Sequence, residues 1–587
     1  MDRARASNAS TPPKNTMQAP KLLLASFAAA IFCLPAPALS LETPTAITNA
    51  DAIAAAPYIE VPAAMAALLP ADLTVVLLTR PLAEIEGIAL GLAEEIAPEM
   101  AGMMSVDLLL TQAGLDPAIV DKTKPIGFAL GTLSMGSEPQ AFLIVPTTDG
   151  DALKAAIIGM SGLPAASFQS KVVGGYMGLT MGSTYPDAGE SDLLHTVPAG
   201  MMGLAIDVET IVDTFGPLIQ MGMGMARMQA TADLPEDMPL DIGAMMDTYF
   251  GMVESAMDSI EQARFSIDIT DSLLDIRAVT VVSEGSPMAS IASGKKTNIA
   301  RLIPLMGEGS LSLALGADWG DMMTKSMPLM ESLLGAYPDE LGKGMRASMD
   351  AFKDIYNLFG TGMVASGGFG DNGMQVSAFF DGAHFDEILV AYKEALELPF
   401  WEELGMKYSG TKTGKSGDVS VTRFSFDFDM ATIMEAMGED LPPDEVTELK
   451  KMMAALYGES LVITFANSKD IGVMVIGADD TLMTDALGRV AAGGKIPEEL
   501  THLTDLVATS NPFFSCGVDV GELLSTIVPM IEGLMGAPAS GMEMFEELSL
   551  PINMYFGASK SLWTTGLMVD LVQVSEFAQM MAMMGDL

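Results

Sequence analysis

The residue types that carry most enzyme chemistry are scarce or scattered in this chain. Its three histidines, His195, His384 and His502, stand far apart, with no His-Glu-x-x-His, no paired cysteines and no Gly-x-Ser-x-Gly. Zinc hydrolysis and α/β-hydrolase chemistry therefore lack the residues that bind the metal or present the nucleophile. Ser293-Gly-Lys-Lys296 and Lys412-Thr413-Gly414 match two pieces of the penicillin-recognising serine enzymes. That chemistry needs the Ser at the start of a buried helix. Ser293 lies instead in a polar connector, and no convincing Ser-x-Asn element stands between the two pieces.

Gly368-Phe-Gly370-Asp-Asn-Gly373 has the form of a dinucleotide fingerprint. A phosphate cradle needs a helix to begin at its third glycine. Here the alternating run Met374 to Phe380 follows, so the motif reads as a hairpin turn. The 76 carboxylates offer many pairs for a glycoside hydrolase, but three tryptophans are few for stacking sugars. Phe424-Ser-Phe426-Asp427-Phe428-Asp429 alternates cleanly. Asp427 and Asp429 have the spacing to share a calcium ion, although a solvated strand face is the simpler reading.

Methionine is the compositional oddity: there are 49, clustered at Met221-Gly-Met223-Gly-Met225-Ala-Arg-Met228 and Met580-Met581-Ala-Met583-Met584. Thioethers suit Cu(I), pack flexibly in cores, and adapt to varied apolar ligands or partners. Core packing is the favoured reading of both clusters, with an adaptable binding surface second and copper third. Cys516 reads as a small buried hydrophobe rather than a nucleophile. No catalytic, cofactor-binding or metal-ligating residue is assigned, and no cofactor is expected.

The elements that would position any site follow a recurring plan. Gly203-Leu-Ala-Ile-Asp207, Leu313-Ala-Leu-Gly-Ala-Asp318 and Ser515-Cys-Gly-Val-Asp519 each end an apolar strand at an Asp, with Pro217, Pro328 and Pro529 ten residues later. An Asp leaving a strand caps the next helix by accepting its free N–H groups. A Pro ten residues on predicts a kink or a helix restart. Leu73 to Thr79 predicts a strand and Leu82 to Ile96 a helix. Hairpins are predicted at Pro125–Val145, Arg264–Val282, Met363–Phe380, Leu461–Ile476 and Met554–Leu571, each followed by or near a helix. A final helix is expected over Ser575–Met584.

At 587 residues the chain is too long for one core. The pattern predicts an α+β fold: two pseudo-repeated halves of largely antiparallel sheet, 65–295 and 296–587, with helices packed on one face. The break falls near Gly294-Lys295-Lys296. Residues 1–40 read as a signal peptide, with Arg3, Arg5, Lys14 and Lys21 before the apolar run Leu22–Leu34 and small residues at Ala38-Leu39-Ser40. Residues 41–64, rich in Ala, Pro and Thr, read as a tether. The net charge is -46 at a mean hydropathy of +0.35. That field repels nucleic acid and anionic headgroups. Cleavage near Ser40 would leave Cys516 as the one cysteine and so no internal disulfide.

The opening Leu69-Pro70-Ala71-Asp72, the strand after it and the repeated short Gly-led strands resemble uncharacterised secreted bacterial proteins. The resemblance spreads loosely over both halves and implies an exported protein; it supplies no site residues. The expectation is a non-enzymatic exported protein, periplasmic or extracellular, binding an apolar ligand or an envelope protein through its Met-rich helices. It is expected to have no nucleic-acid partner and no transmembrane segment in its mature form. The alternative is a structural or interaction protein of the cell envelope, and third a carboxylate-dependent hydrolase.

Overall fold

Leu73–Thr79 forms the first strand, β1, and it is hydrogen-bonded on both sides. The computed structural model describes residues 58–585 apart from 99–100, 102–104, 135–139, 162, 183, 233–241, 292–296, 308, 319, 322–345, 348–349, 352, 356, 371–372, 404, 430–431, 433–446, 448–450, 452–453, 455–459, 478, 497–506, 508–509, 526–548 and 560. The chain divides into the units Met1–Leu39 and Ser40–Leu587, and every described residue belongs to the second. The expected signal segment, most of the tether and the break at Gly294-Lys295-Lys296 lie outside the described residues.

The remaining strands of the first part are β2 (Gly127–Gly131), β3 (Ala141–Pro146), β4 (Phe168–Val173), β5 (Tyr176–Met181), β6 (Met202–Asp207), β7 (Ile260–Thr270) and β8 (Leu273–Val282). Then come β9 (Leu311–Gly316), β10 (Gly362–Gly370), β11 (Gly373–Asp381), β12 (Met406–Ser416) and β13 (Val419–Phe428). The last five are β14 (Leu461–Ser468), β15 (Ile471–Ile476), β16 (Phe513–Asp519), β17 (Pro551–Ser559) and β18 (Leu562–Asp570). The longer helices are α1 (Leu82–Ile96), α2 (Gly150–Ser161), α3 (Val208–Ala232), α4 (Ile242–Ser259), α5 (Phe385–Leu396), α6 (Asp480–Ala492) and α7 (Leu571–Gly585).

All 18 strands join one sheet, and every pairing is antiparallel. In space the order is β4-β5-β3-β2-β1-β6-β7-β8-β18-β17-β16-β9-β10-β11-β15-β14-β13-β12. With helix and strand nearly equal, at 39% and 38%, the fold is α+β around a large antiparallel sheet.

The hairpins follow local chemistry. Gly370 pairs directly with Gly373 and Gly373 has φ +89°, so the Gly-x-Gly-x-x-Gly motif is a turn between β10 and β11. Lys469 and Asp470, at φ +55° and +61°, make the two-residue turn of β14–β15. Two positive φ values match the strand twist there.

Helices cover both faces of the sheet, which corrects the expectation of one face. In β3, Phe142 and Ile144 belong to a core with Met65, Leu68 and Leu194, whereas the alternating Leu143 and Val145 pack with Leu153 of α2. In β14, Ala466 packs in the core that α6 enters through Met483, Ala486 and Val490, while Phe465 on the other face meets Tyr392 of α5. Successive side chains point to opposite faces, so strands covered on both read as continuous apolar runs. All six residues of β15 are buried for this reason.

Candidate functional site

The three recurring Asp residues sit where strands pass into helices. Asp207 Oδ1 accepts from Thr210 N at 2.9 Å and its Oδ2 from Thr210 Oγ1 at 2.8 Å. Asp318 Oδ1 accepts from Asp321 N at 3.3 Å and Asp519 Oδ1 from Glu522 N at 3.1 Å. The device is wider than the three copies. Asp149, Asp429, Asp479 and Asp570, each at or up to three residues past the end of a strand, accept a backbone N–H from two or three residues further on. At Asp479 those bonds hold the carboxyl below its ordinary range. These carboxylates end strands and start helices, and two of them also tie in distant segments: Asp519 accepts from Leu550 N and Asp570 from Ser272.

Pro217 lies inside α3, which continues through it as one helix to Ala232. The expected restart therefore does not occur there, and Pro328 and Pro529 lie outside the described residues. Asp427 is exposed on β13, opposite Lys407, and Asp429 bonds Thr432, so their calcium reading gains nothing. Phe424 and Phe426 are buried, as their alternation requires. His195 is exposed in a short 3-10 turn and His384 precedes α5, with Nδ1 3.4 Å from Glu387. His502 and Ser293 lie outside the described residues, and Lys412-Thr413-Gly414 sits within β12. Cys516 is half-buried on β16, where burial pushes its thiol up and away from a reactive thiolate.

A polar cluster lies at the middle of the sheet. Asp268 of β7 and Asp275 of β8 are register partners, and each holds an arginine: Arg80 at 2.9 Å and Arg277 at 2.6 Å. The Tyr555 phenol of β17 accepts from Arg277 Nε at 2.9 Å and donates to Asp275 Oδ1 at 3.0 Å. Its ring lies over Gly566 of the intervening β18, where a Cβ would collide with it. Burial raises the phenol's pKa. Both carboxylates are thus engaged with arginines, and the Tyr555–Arg277–Asp275 contacts clamp β17 to β8 across β18. Among the described residues no group of three His, Cys, Asp or Glu is placed to hold a metal ion.

The feature that chemistry does not absorb is on α3. Leu218, Met221, Met225 and Met228 are exposed at 48%, 57%, 54% and 73%. Their spacing of three, four and three places them on one helical stripe. Tyr249 of α4 is also exposed, and Gln220 Nε2 donates to Glu254 Oε1 at 3.1 Å, tying α3 to α4. Residues 214–226 contain no charged side chain. The core reading therefore fails for Met221, Met225 and Met228 of this cluster, while Met223 is half-buried. In the second cluster Met580 is buried on α7, and the side chains of Met581, Met583 and Met584 lie outside the described residues. Among the described residues no helix is long and apolar enough to cross a membrane.

No family model matches the chain, and no curated protein matches it. One solved structure with some likeness is crystal form III of TP0453. It is 8% identical, covers 47% of this chain and 96% of its own, and has a TM-score of 0.22. At that score the likeness carries no argument.

Proposed function

We propose that this chain is an exported, non-enzymatic binding scaffold of two pseudo-repeated halves that offers the α3 stripe to an apolar ligand or partner. The observation that carries it is the stripe: four large apolar side chains in one line, each about half exposed or more. Exposed apolar patches of this kind mark interaction sites more often than scattered single residues do. Methionine suits the task, because an unbranched thioether adapts to different apolar shapes.

The two-half reading is supported by strand order. Moving outward from the β8–β18 pair, one side runs β7, β6, β1, β2, β3, β5, β4 and the other β17, β16, β9, β10, β11, β15, β14. Each strand meets its counterpart, and the hairpin β12–β13 is the one addition, at the outer edge. Leu273 and Leu562 open β8 and β18. Aligning them makes Arg277 the counterpart of Gly566, and these two are paired with each other. That self-pairing is the mark of a local two-fold axis. Export rests on the N-terminal segment.

Native mass spectrometry after gentle extraction tests the function. A co-purifying apolar molecule or protein, lost when Met221 and Met225 are changed to Gln, is the expected result. A bare monomer that binds nothing, or turnover of a glycoside by the purified chain, defeats the reading.

A further inference from the structure

We propose that the α3 stripe receives a basic amphipathic helix from a partner protein, an inference that rests on reading α3–α4 as a binding surface. The argument is charge complementarity around an uncharged centre. Residues 208–259 carry nine acids, Glu209, Asp213, Asp233, Glu236, Asp237, Asp241, Asp247, Glu254 and Asp258, and one base, Arg227. Glu209 and Asp213 are exposed one to three turns before the stripe, and Glu254 and Asp258 are exposed on the neighbouring α4. Between them Thr214 to Ala226 is free of charge. Among the described residues α3 and α4 thus offer an uncharged apolar line together with four exposed carboxylates, Glu209, Asp213, Glu254 and Asp258.

The other occupants fit less well. A second copy brings the same nine acids and a whole-chain charge of -46, so approach is repulsive. An anionic membrane is repelled for the same reason, and a neutral acyl surface makes no use of the carboxylates. A partner helix with apolar residues at a spacing of three and four and Lys or Arg on its flanks uses both features. From Leu218 to Met228 the stripe is about 15 Å long, roughly three helical turns, which is the footprint of such a segment. The acidic field would speed encounter, and the adaptable methionines would accept the apolar side chains. The alternation of Gly222 and Gly224, where a Cβ would meet nothing within 4 Å, leaves room for close approach.

The test uses the full mature chain and a labelled synthetic peptide of about 18 residues, Leu on one face and Lys on the other. A matched Leu/Glu peptide and phosphatidylcholine vesicles are the comparisons, and peroxide oxidation of Met221, Met225 and Met228 maps the contact by peptide mass. The Leu/Lys peptide should bind, protect these methionines, and weaken steeply with salt. Affinity should fall roughly tenfold in M221Q/M225Q and severalfold in D213N/D258N, with helix content unchanged. Binding unaltered by M221Q/M225Q, or equal binding of the Leu/Glu peptide, overturns the proposal. Protection by vesicles but not by the Leu/Lys peptide also overturns it while sparing the binding-surface reading. If nothing protects the methionines, both fall.

Discussion

Replacing Tyr555 by Phe removes one hydroxyl from the centre of the sheet, and it should destabilise the protein by about 1.5–3 kcal/mol. The ring is 3% exposed, so Phe fills the same space and opens no cavity. What is lost is a bond from Arg277 Nε at 2.9 Å and one to Asp275 Oδ1 at 3.0 Å. Both partners are charged, which places each bond at the strong end of the range. The Arg277–Asp275 contact at 2.6 Å survives, and the two side chains keep 29% and 21% of their exposure. Water can therefore meet part of the lost need, which holds the cost below that of a fully buried orphan charge. Trp563, 7% exposed on β18 beside Phe556, reports on this region once Trp319 and Trp401 are changed to Phe. Urea unfolding followed by its fluorescence gives the number, and a cycle with Asp275→Asn should be non-additive. A change below about 0.5 kcal/mol, or simple additivity with Asp275→Asn, would refute the clamp.

Asp207→Ala should cost about 0.5–2 kcal/mol, the range for a lost helix cap, measured by the same unfolding assay. Asp519→Ala should cost more, about 2–3 kcal/mol, because Asp519 also accepts from Leu550 N at 3.0 Å and from Ser549, holding the entry to β17; equal losses would count against that second role. Burial pushes the Tyr185 phenol up to about 12, and its hydroxyl donates to Leu68 O at 2.7 Å. A raised phenol favours the protonated fold, so this contribution is complete below the ordinary phenol value near 10 and is lost as pH rises through about 12. Tyr185→Phe should flatten the alkaline limb of the stability profile, and an unchanged limb would remove Tyr185 from it.

Local structure was largely legible. β1 and α1 have the bounds that Leu73–Thr79 and Leu82–Ile96 predict. The strand-end Asp residues cap as their position requires. Two hairpins escaped. β4–β5 turns at Gly174-Gly175, φ +55° and +80°, a two-glycine signal overlooked between Lys171-Val-Val and Tyr-Met-Gly. β12 escaped because Met406–Ser416 is an edge strand whose outer half faces water, so Lys, Thr and Gly replace the alternating apolar residues. Lysines on such an edge discourage further pairing. Strand order was beyond local reading, since β1 with β6 and β8 with β18 join segments separated by long stretches of chain, and side-chain periodicity carries no partner's address.

Methionine marks the limit more sharply. Met483 and Met580, buried on α6 and α7, and Met221 and Met225, exposed on α3, all recur at helical spacing. The period is the same because it records which residues share a face, not what lies opposite that face. The separating signal was charge. α6 carries Thr484 and Asp485 away from Met483, Ala486 and Val490, which enter the core, so its apolar side is defined by contrast and turns to the sheet. Arg489 turns inward as well, over the Phe379 ring. α3 has no charge from Thr214 to Ala226, and glycines break its line. A helix uncharged all round needs cover on more than one side. α4 provides one side, through the Glu254–Gln220 bond, while Leu218, Met221, Met225 and Met228 stay about half exposed or more. That exposed stripe is the surface on which the proposed partner helix would lie.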